Sequence, residues 1–240
     1  MTITLYQTDS YLQEFDAIVT NIDPETHSLT LNQSAFYPGG GGQPNDTGWI
    51  EINHQKISVL KARKLGDEIW HDIDPATPLP DIGTTLNAKL DWDRRYRLMR
   101  THTAMHVLCG VVFRDFGALV TGGNMDPLEG RMDFEFENLT KELVQVIDDT
   151  VNREIQKGHS IKVKILPREE AFQIPDLIRT KINLLPPQIS EIRTVEIVGL
   201  DLQADGGTHV NNTAEIGKIH ISDYKSKGKI NKRIYLSIEP

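Results

Sequence analysis

Over the first 90 residues, apolar and polar side chains alternate in short runs, at 17–22, 28–31, 49–52, 56–60, 69–73 and 85–90. Turn-forming residues separate them: Asp23 to Thr26, Asn53 with His54, and Gly66 with Asp67. Strands this short and this evenly spaced predict a small antiparallel barrel or sandwich. The texture changes near Asp91. From 94 to 113 glycine and proline are scarce, and Leu98, Thr101, Met105, Leu108 and Val112 recur at helical spacing. Residues 138–157 form the clearest amphipathic helix: Leu143, Ile147, Val151 and Ile155 recur every four residues, joined by Val144 and Val146, with Gly158 as the stop. Further strands are expected at 161–166, 193–198, 215–221 and 233–238. The fold class is α+β: a β-barrel-like domain over 1–90, then an α+β domain over 91–240 with antiparallel sheet and helices.

Composition narrows the field. The 240 residues carry 34 acids, 26 bases, eight histidines and one cysteine. One cysteine excludes an internal disulfide framework and any multi-cysteine zinc finger within the chain. With no basic and apolar leader and no long apolar run, the chain is expected to be cytoplasmic and not membrane-spanning. The formal charge of −8 argues against nucleic-acid binding by the whole surface. The charge is uneven, however. Residues 1–90 hold 12 acids against 5 bases, whereas 218–233 hold six bases against Asp223 alone.

Four segments carry candidate chemistry. His102 and His106 stand four apart on one helix face, a spacing a tetrahedral metal accepts. Such pairs are more often solvated or structural. The zinc-protease pattern also needs a glutamate directly after the first histidine, where this chain has Thr103. Cys109 is a possible third ligand, but its neighbours Val107, Leu108, Val111 and Val112 favour the core. About a hundred residues on, Asp205 and His209 flank Gly206, Gly207 and Thr208. Together the two segments offer a four-group set for Zn²⁺, or three ligands with a place for water.

The third segment is Gly39, Gly40, Gly41, Gly42 and Gln43, followed by Pro44 and Asp46. No Gly-Lys-Ser/Thr follows, and Pro44 with Asp46 opens no obvious helix, which argues against a P-loop. A flexible hairpin is the plain reading. The sharper one is a backbone that approaches another domain or an RNA closely. The fourth is the basic strip of Lys225, Lys227, Lys229, Lys232 and Arg233, with Arg94, Arg95, Arg97 and Arg100 as a second cluster before the histidines. Such runs are usually solvated faces, and some of these arginines can pair with Asp91 or Asp93. Phosphate contact is the functional alternative.

The order of these segments, from Phe36 through the glycines, then Arg97 to Leu108, then Leu200 to Thr213, then the basic strip, resembles the alanyl-tRNA editing protein family, AlaX, in its medium-length form. That family is similar to the editing domain of alanyl-tRNA synthetase. The resemblance implies zinc-dependent, trans-acting hydrolysis of tRNA(Ala) mischarged with serine or glycine. It implies one zinc ion on His102, His106 and His209. The family's fourth ligand is typically cysteine, four residues before the last histidine; here that position is Asp205, expected to ligate as a harder donor. The arginines and the basic strip would hold the tRNA, and the glycine-rich loop would approach the editing domain or the acceptor stem. A polar partner for the serine hydroxyl is required; Thr101, Thr103 and Thr208 lie close in sequence, and none is assigned. Two alternatives stay open. One is a catalytically inactive tRNA-binding relative; the other is a metal-dependent hydrolase of small esters.

Overall fold

Side-chain alternation closes the N-terminal strands into a barrel in the computed structural model, which describes residues 1–182, 185, 187 and 189–240. The strands are β1 (Ile3–Thr4), β2 (Glu14–Asp23), β3 (Ser28–Leu31), β4 (Gln33–Ser34), β5 (Gly48–Ile52), β6 (Gln55–Leu65), β7 (Glu68–Ile73) and β8 (Thr85–Leu90). β1 and β4 form a short parallel pair. The other six make a closed antiparallel barrel in the order β2-β3-β7-β6-β5-β8. Phe15, Ala17 and Val19 of β2 point inward, as do Ile69, His71 and Ile73 of β7 and Leu86, Ala88 and Leu90 of β8. A bulge after Val59 in β6 resets the alternation, so that Ala62 rather than Lys61 enters the core. Asn53 and His54 both take positive φ, 51° and 65°, in the two-residue turn joining β5 to β6.

The chain divides into two compact units, Met1–Tyr96 and Arg97–Pro240, and the division falls inside α1 (Trp92–Phe116). The first unit extends past β8 because Arg95 is buried within it and Trp92 and Tyr96 pack on Tyr11, with ring centroids 5.7 and 6.5 Å away.

The second unit begins on the buried stretch of α1. Every residue from 101 to 112 is enclosed, so this helix shows no polar stripe to sequence inspection. It is followed by β9 (Val120–Asp126), β10 (Glu129–Glu135), α2 (Lys141–Gln156), β11 (Ile161–Pro167), α3 (Arg168–Ala171), β12 (Glu191–Ile197), β13 (Asp201–Ala204), β14 (Ile219–Ser226) and β15 (Asn231–Ile238). Two antiparallel sheets result, β14-β15-β10-β9 and β11-β12-β13. α2 is capped by Thr140, whose hydroxyl accepts the Leu143 N–H, and Gly158 turns left-handed just beyond it. Its buried stripe is Val144, Ile147, Val151, Glu154 and Ile155.

Two expectations need correction, and three strands had none. Val146 is half-exposed rather than part of the α2 stripe, because it lies on the outer side of the helix. The strand expected at 215–221 begins only at Ile219: a 3-10 helix, Thr213–Ile216, occupies the earlier residues, fixed by a capping box between Asn212 and Glu215. β9, β10 and β13 were not anticipated. β9 carries Gly122 and Gly123 and few β-branched residues, so its composition hides it.

Candidate metal centre

α1 presents His102 and His106 one turn apart, with ring centroids separated by 4.9 Å. The second half of the site comes from the segment leaving β13. Asp205 is the first residue after that strand. Its Oδ2 accepts the Gly207 N–H at 2.7 Å, a side-chain turn that folds the chain back on itself. His209 is thereby returned toward α1. Its ring stacks on His102 with centroids 4.3 Å apart and lies 4.7 Å from His106. One carboxylate then faces three imidazoles: Oδ2 is 3.0 Å from His209 Nε2, and Oδ1 is 3.5 and 3.9 Å from the Nε2 atoms of His102 and His106. All four donor atoms lie within 4.8 Å of one another.

Burial decides the charge states. It drives His102 well below the usual imidazole range, against the pull of Asp205, and takes His209 to about 4 despite the neighbouring Asp205 carboxylate. Burial alone would raise Asp205, but the facing imidazoles hold it well below the usual carboxylate range. Three imidazoles and one carboxylate thus turn their ligand atoms to a common point. Zinc–nitrogen bonds of about 2.0–2.1 Å place tetrahedral ligands roughly 3.3 Å from one another. The observed 3.0, 3.5 and 3.9 Å bracket that spacing. The donor set fits a divalent cation of the zinc class.

Two further residues hold the cluster; Arg193 had no signal in the sequence pattern, and Thr103 was marked only by its place beside His102. Arg193, on β12, donates from Nη1 to the Asp205 carbonyl at 3.0 Å and stands 3.7 Å from its carboxylate. Thr103, directly after His102, is fully buried, with its hydroxyl 3.1 Å from His209 Nδ1. Cys109 is not in the cluster. It is buried in the core, where burial pushes its thiol far up.

The cations of the sequence divide sharply. Arg95 is fully buried against Asp46, so it belongs to no nucleic-acid surface. Arg94 donates to the Asn45 carbonyl, and Arg100 donates to the carbonyls of Ile216 and Glu239. Lys232 is buried, with Nζ on the carbonyls of Gly228 and Lys229 at 2.8 and 2.9 Å, and Arg233 clasps Asp133 at 2.6 and 2.7 Å. Arg97, Lys225, Lys227 and Lys229 face solvent. Lys225 also pairs with Asp223 at 2.9 Å.

The glycine-rich loop is a defined tight hairpin. Gly40 and Gln43 exchange backbone hydrogen bonds at 3.0 and 2.9 Å. All four residues from Gly39 to Gly42 take positive φ, a run that only glycine sustains at low cost. Tyr37 closes one side by donating its hydroxyl to the Gly40 carbonyl at 3.0 Å, and Gln43 is buried.

Residues 192–235 match the family described as the second additional domain of threonyl and alanyl tRNA synthetases, and residues 5–94 match the class II (A) tRNA synthetases. The chain is 43% identical to alanyl-tRNA editing protein AlaX-M of Saccharolobus solfataricus over 100% of both chains. It is 36% identical to AlaX-M of Methanosarcina mazei over 99% of this chain and 97% of that one. The alanine–tRNA ligase of Thermococcus kodakarensis is 36% identical over 92% of this chain, which corresponds to 24% of the ligase. Identity at this level along the whole length of both chains, with matches in each half, shows that the chain belongs to the alanyl-tRNA editing protein AlaX-M family.

Proposed function

We propose that this chain is a trans-acting deacylase that hydrolyses tRNA(Ala) mischarged with serine or glycine, using one zinc ion held by His102, His106, Asp205 and His209. The observation that carries this reading is the buried convergence of three imidazoles and one carboxylate, in a chain whose full-length relatives are named for alanyl-tRNA editing. The need is physical. A pocket built for alanine rejects glycine by only about 1–3 kcal/mol and rejects an added hydroxyl little better, so a second site must remove the errors.

Bound zinc would supply positive charge to polarise the ester carbonyl or a water, or to anchor the substrate's α-amine. The protein's own contribution is orientation. The α1 backbone fixes the separation of His102 and His106, and the Asp205–Gly207 turn aims His209 at the same point. Arg193 holds the Asp205 backbone carbonyl and stands beside its carboxylate. Lys225, Lys227 and Lys229 on the β14–β15 hairpin, with Arg97, are the solvent-facing cations suited to the RNA backbone.

The test is hydrolysis of seryl-, glycyl- and alanyl-tRNA(Ala) by the full chain, stripped of metal and then reloaded with zinc. Zinc-dependent loss of serine or glycine, with alanine spared, is the expected result. Binding of tRNA without turnover would identify an inactive relative. Hydrolysis of free aminoacyl esters at the same rate, indifferent to the tRNA, would identify a general esterase.

A further inference from the structure

Thr103 occupies the position that a glutamate base fills in the zinc-protease pattern, yet its side chain turns toward the far edge of His209. The hydroxyl has three partners: the Met99 carbonyl at 2.9 Å, His209 Nδ1 at 3.1 Å and the Val210 N–H at 3.2 Å. A hydroxyl holds one hydrogen and accepts two. The Val210 amide can only donate, so it takes one acceptor place. The Met99 carbonyl can only accept, and it is the nearest of the three, so it draws the hydrogen. The remaining acceptor place faces Nδ1, which must then carry its proton.

We infer that Thr103 is a positioning residue that fixes His209 as the Nδ1–H tautomer and so delivers a bare Nε2 to the metal centre. On its other side that Nε2 stands 3.0 Å from Asp205 Oδ2. With Nδ1 protonated, two lone pairs face each other there, and a shared cation relieves the repulsion. The opposite tautomer would put a proton between Nε2 and the carboxylate, closing both ligand atoms into a hydrogen bond. One buried hydroxyl thus decides whether His209 and Asp205 form an ion-binding pair or a self-satisfied one. The inference rests on the metal reading proposed above, and outer partners of this kind typically set ligand orientation and tautomer.

The test uses the full chain with ¹⁵N-labelled histidine, with zinc removed by a chelator and then restored, in the parent and in Thr103→Ser and Thr103→Val. In the zinc-free parent and in Thr103→Ser, nitrogen NMR should show His209 protonated at Nδ1 and bare at Nε2. Thr103→Val keeps the volume but removes the hydroxyl. It should populate the Nε2–H tautomer and lower zinc affinity, read by chelator competition, by about 10–100-fold, while Thr103→Ser stays close to the parent. An Nε2–H tautomer in the parent would overturn the inference, and this reading stands even if Thr103→Val does not fold. Lost affinity in Thr103→Val with the tautomer unchanged would also overturn it, since a purely structural role predicts that. The tautomer is read without substrate or zinc, so an absence of deacylation would sink the proposed function and leave this result intact.

Discussion

The guanidinium of Arg95 clasps the carboxylate of Asp46 with its Nε 3.0 and 2.9 Å from the two oxygens, and Nη2 meets Oδ2 as well. Neither side chain has appreciable solvent contact. The remaining donors go to the carbonyls of Ser10 and Ala35, and Asp46 also accepts the Tyr37 N–H at 2.6 Å. This pair therefore anchors both ends of the glycine-rich hairpin. Arg95→Met should destabilise the first unit by about 3–5 kcal/mol, because it strands a buried carboxylate. Arg95→Lys should lose much of the same, since an ammonium cannot reproduce the planar fork. Adding Asp46→Leu to Arg95→Met should recover part of the loss. Denaturant midpoints of the full chain check this, and unchanged stability in Arg95→Lys would show that the fork is not the anchor.

His71 makes the barrel sensitive to mild acid. It is enclosed in the core, with Nε2 2.8 Å from Ser34 Oγ and Nδ1 3.3 Å from the Leu29 carbonyl, and burial lowers its pKa from 6.5 to about 4. Between those values the unfolded chain binds the extra proton and the folded chain does not. Stability is therefore fully present above about pH 6.5, falls as the pH drops toward 4 and levels off below it. The shift corresponds to about 3 kcal/mol. Urea midpoints at pH 7 and pH 4.5 should differ more in the parent than in His71→Gln; equal slopes would remove His71 as the cause.

The basic hairpin should separate two kinds of lysine. Lys227→Glu and Lys229→Glu should weaken tRNA binding with the fold intact, and each neutralised contact should reduce the salt slope of binding by about 1. Hydrolysis of a minimal aminoacyl ester should be unaffected. Lys232→Ala should act on stability instead, because its ammonium closes the hairpin on Gly228 and Lys229. Filter binding across a salt series, beside thermal melts, distinguishes the two. Identical behaviour of Lys229→Glu and Lys232→Ala would contradict the division.

The barrel was legible because period-two burial is a local property: six runs of alternating residues became its six strands. The candidate metal residues are legible too, because helical spacing and a glycine turn are written in the chain order. What stayed hidden depends on tertiary context. β9 has the composition of a loop and is a strand only because β10 pairs with it. The arginine cluster looked like one cationic patch, yet Arg95 is enclosed by a carboxylate 49 residues away. The sequence places Thr103 directly after His102 but gives no sign of what its hydroxyl meets. Its partners His209 and Val210 are more than a hundred residues distant, so no local pattern marks it.

Asp205 offers the sharpest test of the metal centre because it can be exchanged for donors of different softness. Asp205→Ala should lower zinc affinity by more than about 100-fold if the carboxylate is a ligand, since loss of an outer partner alone costs about 10–100-fold. Asp205→Cys replaces a hard oxygen by a soft thiolate and should preserve or raise zinc affinity. It should also sharpen selectivity, because manganese prefers oxygen donors and thiolate discriminates against it. The ratio of zinc to manganese affinity is therefore expected to rise in Asp205→Cys relative to the parent. The change also removes the carboxylate that accepts the Gly207 N–H and stands beside Arg193. Deacylation can consequently fall even where zinc binds well, and that split would separate holding the metal from holding the turn that aims His209. Unchanged zinc affinity in Asp205→Ala would instead mark a three-histidine site whose fourth place is left for water or substrate.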